Sequence, residues 1–365
     1  MDITQHEAIL ITTQYLYKYQ ESHDRVNYKY IFVGDVHGDL LQFILPLIDT
    51  GTITLTGKVT TVKQKYVELD IHLPEYSCNK CDSEIYYLGD LVDGWIFSRQ
   101  VVIMLARIMR ECKNVHLCFG NHDATYMANS DTTDMSKFDK HYGSLRHLGN
   151  SYSKLKFYRG KFIDSPDDFL SEYYRPMLSA YKELWKMGEV MHYVATDIGV
   201  LVASHTITTT TALEDLGVEY NEPLKELVSD INKAFKTKDA AYVEKNKLLS
   251  NRSDAKRVFP KQIVGHTVGG LYYLPPDKPE VNPVPVRTTE DRIRHCTPTN
   301  GIYYIDIGAS ASDYTSYIST PDYYYIANGK MNVTDFNGIQ LFWWQNVIIA
   351  ELDHKYSTLS SYYTL

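Results

Sequence analysis

The chemistry of this chain begins at Ile31-Phe-Val-Gly-Asp-Val-His-Gly38. An apolar run ends in a glycine, and Asp35 and His37 follow two positions apart. That pattern delivers a carboxylate and an imidazole to the turn at the C-terminal end of a strand. Four later stretches repeat the form: Leu88-Gly-Asp-Leu-Val-Asp93, Phe119-Gly-Asn-His-Asp123, Val202-Ala-Ser-His205 and Ile263-Val-Gly-His-Thr267. In α/β sheets, ligands collect beyond the carboxyl ends of strands. Ions of the zinc, manganese or iron type favour imidazole and carboxylate donors. Asp35, His37, Asp90, Asn121, His205 and His266 supply that set. They suffice for two ions if one carboxylate bridges. Two metals roughly 3.5–4 Å apart can clamp the entering and leaving oxygens of a phosphoryl group.

The elements that must position these residues follow from periodicity. Residues 1–27 read as an N-terminal helix with Ile9, Leu10, Thr13, Leu16 and Tyr17 on one face. Residues 29–34 form a first strand, and Leu40 to Ile48 have helical spacing. Residues 51–73 alternate like two strands around a turn at Gly57-Lys58, an inserted hairpin. Residues 85–88 are a strand, 95–112 a helix and 114–119 a strand. This rhythm argues for an α/β fold with parallel neighbours. Asp93 stands where an N-cap would precede a helix starting at Trp95. Residues 129–190 read as a cap over the site, with one or two helices between Phe169 and Met187. Residues 191–197 and 199–204 are strands, a helix opens after Asn221, and a strand over 258–264 ends at His266. Five prolines over 275–287 make a rigid loop. Alternating aromatic runs over 322–352 read as antiparallel strands closing a sheet.

Composition bounds the rest. The chain has 365 residues and 44% hydrophobic content, enough for one large domain with insertions or two modest ones. Its net charge of -8 supplies no global basic field and argues against nucleic acid as a partner. No apolar run reaches the roughly 18–20 residues that cross a bilayer, and the first thirty residues hold no apolar core of signal-peptide length. A soluble, intracellular protein with no membrane partner is the expectation. Five cysteines in a long chain argue against a disulfide framework. Cys78 and Cys81 form one CxxC, but a structural zinc site wants four ligands and no second CxxC follows. The pair reads as two thiols in a surface loop. The 31 tyrosines read as compositional bias. Their abundance is similar to that in large DNA viruses with AT-rich genomes, which would place the protein in host cytoplasm or a virion.

GDVHG (34–38), GDLVD (89–93), GNHD (120–123), His205 and GHT (265–267) resemble, in type and order, the motifs of the calcineurin-like metallophosphoesterase superfamily. Tyr304-Ile-Asp-Ile-Gly-Ala309 resembles its closing strand. The resemblance spans about residues 29–312. It leaves residues 1–28 as an added helix, 313–365 as a strand extension and 51–84 as an insertion. It implies two mixed β-sheets packed as a sandwich and flanked by helices. It also implies two divalent ions, manganese first and iron or zinc as alternatives. Asp35 and His37 would bind one ion, Asp90 would bridge, and Asn121, His205 and His266 would complete the other. Metal-bound hydroxide would be the nucleophile. His122 would protonate the leaving oxygen, with Asp93 holding it protonated.

The branch follows from one position. Many diesterases and nucleases of the superfamily end in GHxH, and here that second histidine is Val268. The pattern is closer to serine/threonine protein phosphatases and diadenosine tetraphosphate hydrolases. The expected activity is therefore phosphomonoester hydrolysis, on a phosphorylated protein or a small phosphoester. Three departures stand out. The arginine that grips phosphate in the family's GDxVDRG is Gly94, its GNHE is GNHD, and its HGG is His205-Thr206-Ile207. Leu248-Leu-Ser-Asn-Arg252 resembles a stretch carrying another phosphate-binding arginine, which makes Arg252 the candidate. Gly94 supports a rival reading as a nucleotide or nucleic-acid phosphodiesterase. The insertions support a second rival, a catalytically weak structural or interaction protein on the same scaffold.

Overall fold

A computed structural model describes residues 5–94, 97–133, 166–251, 256–268, 298, 300–306, 317–319, 324–333, 341–344 and 347–350. The fold is α/β, built on two mixed sheets. The first runs β12-β11-β1-β4-β5. Its parallel part is β1 (Tyr30–Val33), β4 (Glu84–Tyr87) and β5 (Val115–Leu117). β11 (Tyr324–Ala327) lies antiparallel to β1, and β12 (Lys330–Val333) antiparallel to β11. The second sheet runs β6-β7-β8-β9: Met191–Thr196, Gly199–Ser204, Gln262–Val268 and Ile302–Asp306. Here β6 and β7 form a tight hairpin, and β7, β8 and β9 are parallel.

The period-2 alternation of strands sorts side chains between two cores. Phe32 and Tyr86 meet Leu201, Ala203, Ile263 and Ile305 between the two sheets. The alternate residues Ile31, Val33, Ile85 and Tyr87 face a larger core shared with the helices. These are α1 (Gln5–Ser22), α2 (Leu40–Asp49), α3 (Ser98–Glu111) and α5 (Pro166–Met187), with α4 (Asn121–Ala128) between. The apolar face of α3 is buried, from Val101 to Met109. α7 (Leu224–Lys236) buries Leu227, Val228, Ile231 and Phe235, following α6 (Thr210–Leu216). Two short helices follow, α8 (Ala240–Lys245) and α9 (Lys247–Ser250).

Four expectations need correction. The hairpin of β2 (Ile53–Val62) and β3 (Ile71–Cys78) does not turn at Gly57-Lys58. Gly57, at φ +74°, makes a bulge inside β2 against the Tyr17 ring, and the chain turns over residues 63–70. Cys78 pairs with Cys112 as a disulfide, so one cross-link exists where none was expected. Cys81 instead contacts the Thr52 hydroxyl and the Asn114 amide. The third helix starts at Ser98, so its N-cap position is Phe97 and not Asp93. His266 lies inside β8, at a register shift between Val264 and Val268, rather than beyond a strand over 258–264.

Of the region read as a cap, α5 is one helix packed on α3 and α4, and residues 134–165 lie outside the described residues. The proline-rich loop over 275–287 also lies outside them. Beyond residue 313, β10 (Tyr317–Ser319), β13 (Leu341–Trp344) and β14 (Val347–Ala350) form an antiparallel sheet, while β11 and β12 complete the first sheet. Among the described residues, no helix is long and apolar enough to cross a membrane.

Candidate functional site

Strand ends bring the motif residues to one place. After β1, the turn through Asp35 and His37 reaches Asp39, whose carboxylate caps α2 through Leu41 N at 2.9 Å and Gln42 N at 3.2 Å. That turn is zipped to the one after β4. His37 N donates to Asp90 O at 2.6 Å, and Gly38 N donates to Leu91 O at 2.7 Å. Gly89 sits against Gly120 and His205, where a Cβ would lie 2.6 Å from Gly120 N and 2.9 Å from His205 Nδ1. Only glycine allows these loops to touch. His37, Asp90, Asp93 and His266 all hold positive φ, between 46° and 71°. Side chains other than glycine resist that conformation, and such strain clusters at functional sites.

The donor atoms converge in two groups. His37 Nδ1 donates to Val92 O at 2.8 Å, which turns Nε2 toward Asp90 Oδ2 at 3.7 Å and Asp35 Oδ2 at 3.8 Å. His205 Nδ1 donates to Leu88 O at 2.7 Å, which turns Nε2 toward Asn121 Oδ1 at 3.0 Å, His266 Nδ1 at 3.1 Å and Asp90 Oδ1 at 3.4 Å. Backbone carbonyls thus fix the far nitrogens as donors and aim the near ones inward. A nitrogen and several oxygens facing one another within hydrogen-bond range need a proton or a cation between them. His37, Asp90 and His122 form one set able to hold a metal ion, and Asp90, His205 and His266 form another. The residues present therefore fit divalent ions, by donor type and by tautomer. Asp90 presents one oxygen to each group.

Electrostatics agree with a site built for positive charge. Burial, then Asp306 and Asp90, push the Asp35 carboxyl well above the usual range. Burial would raise Asp90 too, but His205, His122 and His37 hold it well below that range. Burial pushes His37 down to about 4, against the pull of Asp90. Burial opposes the charged form of His122, yet Asp90 and the Asp93 hydrogen bond lift it to about 9. His122 Nδ1 lies 3.1 Å from Asp93 Oδ2, and its side chain is one-third exposed.

All eight residues expected in the metal and acid roles meet here; Arg252 lies outside the described residues. Gly94 is explained by packing: a Cβ there would lie 2.6 Å from His37 Cβ and 2.6 Å from the His37 carbonyl oxygen. No arginine fits on this backbone. Sequence reasoning missed four residues. Asp123 accepts from Leu91 N and Gly120 N, both at 3.0 Å, and so joins the two loops. Asp306, at the end of β9, is buried and lies near enough to Asp35 to raise it. Tyr126 and Tyr181 donate to Asp93 and Asp123. Tyr126 was legible in principle, since it stands four residues after His122 on one helix face.

The calcineurin-like phosphoesterase profile matches residues 28–230, more than half of the chain. The chain belongs to the calcineurin-like phosphoesterases. The matched span starts before β1 and ends in α7, so it includes Asp35 to His205, and the fold returns His266 to them from outside it. No curated protein sequence matches this phosphoesterase. Solved structures similar to it include three phosphatases. A mutant of a cold-active protein tyrosine phosphatase shares 14% identity, with 87% of this chain and 81% of that one covered, at a TM-score of 0.43. The phosphatase domain of the Legionella effector WipB shares 14% identity over 59% and 82%, at 0.36. A serine/threonine phosphatase from Saccharomyces cerevisiae shares 11% over 91% and 90%, at 0.37.

Proposed function

We propose that this phosphoesterase is a dinuclear metal-dependent hydrolase of phosphomonoesters, with phosphoserine or phosphothreonine in a protein as the substrate class. Asp90 carries the reading: its two oxygens face two separate donor groups, one with His37 and one with His205 and His266. Asp35 and His37 would hold one ion, and Asn121, His205 and His266 the other, with manganese first among the candidate metals. When bound, divalent ions supply a nucleophile at neutral pH and offset the charge of the phosphoryl oxygens.

The residues of the chain do the rest. His37 and His205 are locked by backbone carbonyls as inward-facing bases. His122 differs, because its partner is a carboxylate and its ring reaches solvent. Asp90 and Asp93 hold its proton on. As the bond from phosphorus to the leaving oxygen breaks, that oxygen keeps the electron pair and takes the proton from His122 Nε2. A positioned acid contributes on the order of 10²–10⁴ in rate. Val268, in place of a second histidine, supports the monoester branch.

A second reading, phosphodiester hydrolysis, is favoured by Gly94. The backbone there admits no arginine to grip a dianionic monoester. Manganese-loaded protein assayed on p-nitrophenyl phosphate and bis-p-nitrophenyl phosphate separates the two. A monoester preference that falls by about 10²–10⁴ in His122→Ala is the expected result. A diester preference would promote the second reading. Inactivity on both esters and on phosphopeptides, with metal bound, would leave a scaffold.

A further inference from the structure

We propose that Tyr126 is a positioning residue for the leaving-group acid, acting through Asp93. The inference rests on the reading of His122 as that acid. Asp93 offers two carboxylate oxygens. One, Oδ2, lies 3.1 Å from His122 Nδ1, and the other, Oδ1, accepts from Tyr126 OH at 2.7 Å. His122 and Tyr126 are one turn apart on α4, so both side chains leave the same face of the helix. A hydroxyl bonded to the oxygen opposite the imidazole resists rotation of the carboxylate about its terminal torsion. Pinned, Asp93 fixes which imidazole nitrogen carries the inner proton, and Nε2 is left to face the reaction.

The ring of Tyr126 is itself immobilised. It is fully buried and stacks on Tyr181, with centroids 5.5 Å apart and planes 8° from parallel. Tyr181 OH donates to Asp123 Oδ1 at 2.7 Å, and Asp123 joins the loops that carry Asp90 and Asn121. The stacked pair therefore serves two carboxylates with separate duties. Tyr126 stands behind the acid, and Tyr181 behind the ligand loops. Phenylalanine would fill either ring position equally well. A buried hydroxyl is costly unless it is bonded, so its value here lies in the carboxylate it holds.

The division of labour gives the test. Full-length, manganese-loaded wild type, Tyr126→Phe and Tyr181→Phe are assayed on p-nitrophenyl phosphate, a good leaving group, and phenyl phosphate, a poor one. A weakened acid costs most where the leaving group is poor. In Tyr126→Phe the ratio of kcat on phenyl phosphate to kcat on p-nitrophenyl phosphate should fall about tenfold, the usual scale for a supporting partner, with KM retained. In Tyr181→Phe the ratio should hold while bound metal falls. An equal fall on both esters in Tyr126→Phe, or the same ratio change in Tyr181→Phe, overturns the assignment.

A second readout needs no turnover. Zinc-loaded protein with labelled histidine should show a downfield Nδ1 proton of His122, and Tyr126→Phe should lose it or broaden it by exchange. An unchanged resonance overturns the proposal. If wild type hydrolyses neither ester, that failure belongs to the proposed function, and the resonance alone decides the role of Tyr126.

Discussion

At the scale of single residues, Gly94 is the most informative departure from the family pattern. Its lost arginine cannot be restored by substitution, because His37 occupies the space a side chain would need. Gly94→Arg is expected to displace His37, lower the metal content by elemental analysis and leave KM unimproved. A variant with full metal content and a lower KM would show that the loop yields. The candidate ligands were legible because each is a polar residue placed at the end of an apolar run. Asp123 was visible in GNHD but carried no assigned role, since a carboxylate bonded to two backbone amides looks like any other in sequence. Tyr126 and Tyr181 were hidden among 31 tyrosines, where composition masks position.

At the scale of elements, α3 carries a liability that periodicity did not reveal. Arg99, in its first turn, is fully buried. Its guanidinium donates to Leu69 O at 3.3 Å and lies 4.1 Å from the centre of the Tyr173 ring, while Nε and one NH₂ group find no hydrogen bond among the described residues. Among the described residues no carboxylate pairs with it, and replacing a buried ionic group by well-packed apolar side chains is often neutral or stabilising. Arg99→Met should therefore match or exceed wild type in Tm, whereas Arg99→Ala should fall below it by leaving a cavity. If Arg99→Met melts well below wild type, the stacking on Tyr173 outweighs the desolvation.

On β6, His192 donates from Nε2 to Leu117 O at 3.1 Å, and burial, then His116, depress it to about 4. The unfolded chain, near 6.5, binds the proton first. Stability contributed by this group is thus present above about 6.5 and is lost as pH falls toward 4. Urea midpoints across that window should show a shallower pH slope in His192→Gln, and an unchanged slope would remove His192 as a source. The bulge at Gly57 and the late start of α3 escaped sequence reasoning for one physical reason. Local periodicity reports neither the approach of Tyr17 to the bulge nor the non-helical Phe97 that precedes the helix.

At the scale of the molecule, the site lies between two sheets and depends on both. The first sheet supplies Asp35, Asp90 and Asn121, and the second supplies His205 and His266. Asp35, Asp90, Asp123 and Asp306 are all buried there. Cations bound there would offset that negative charge and so would link metal to stability. At a concentration 100 times its Kd, a bound ion adds about 2.7 kcal/mol. Chelation should lower Tm, and manganese should restore it. A Tm indifferent to chelator would mean that the carboxylates are satisfied without metal. The α/β rhythm and the order of the motifs were legible at this scale, but the partner of β1 was not, because β11 arrives from the far end of the chain.

That arrival sets a timetable. Ile31 pairs with Tyr325, so the first strand waits 325 − 31 = 294 residues for its neighbour. At about 5–20 residues per second of synthesis, the wait is about 15–60 s. Throughout it, one edge of β1 has unpaired amides and carbonyls, the condition that invites wrong pairing. A nascent chain stalled before Tyr324 should be sticky and chaperone-bound, while release after Ala327 and Val333 should let the sheet close. β11 and β12 therefore act as a latch, closing the free edge of a strand made long before them.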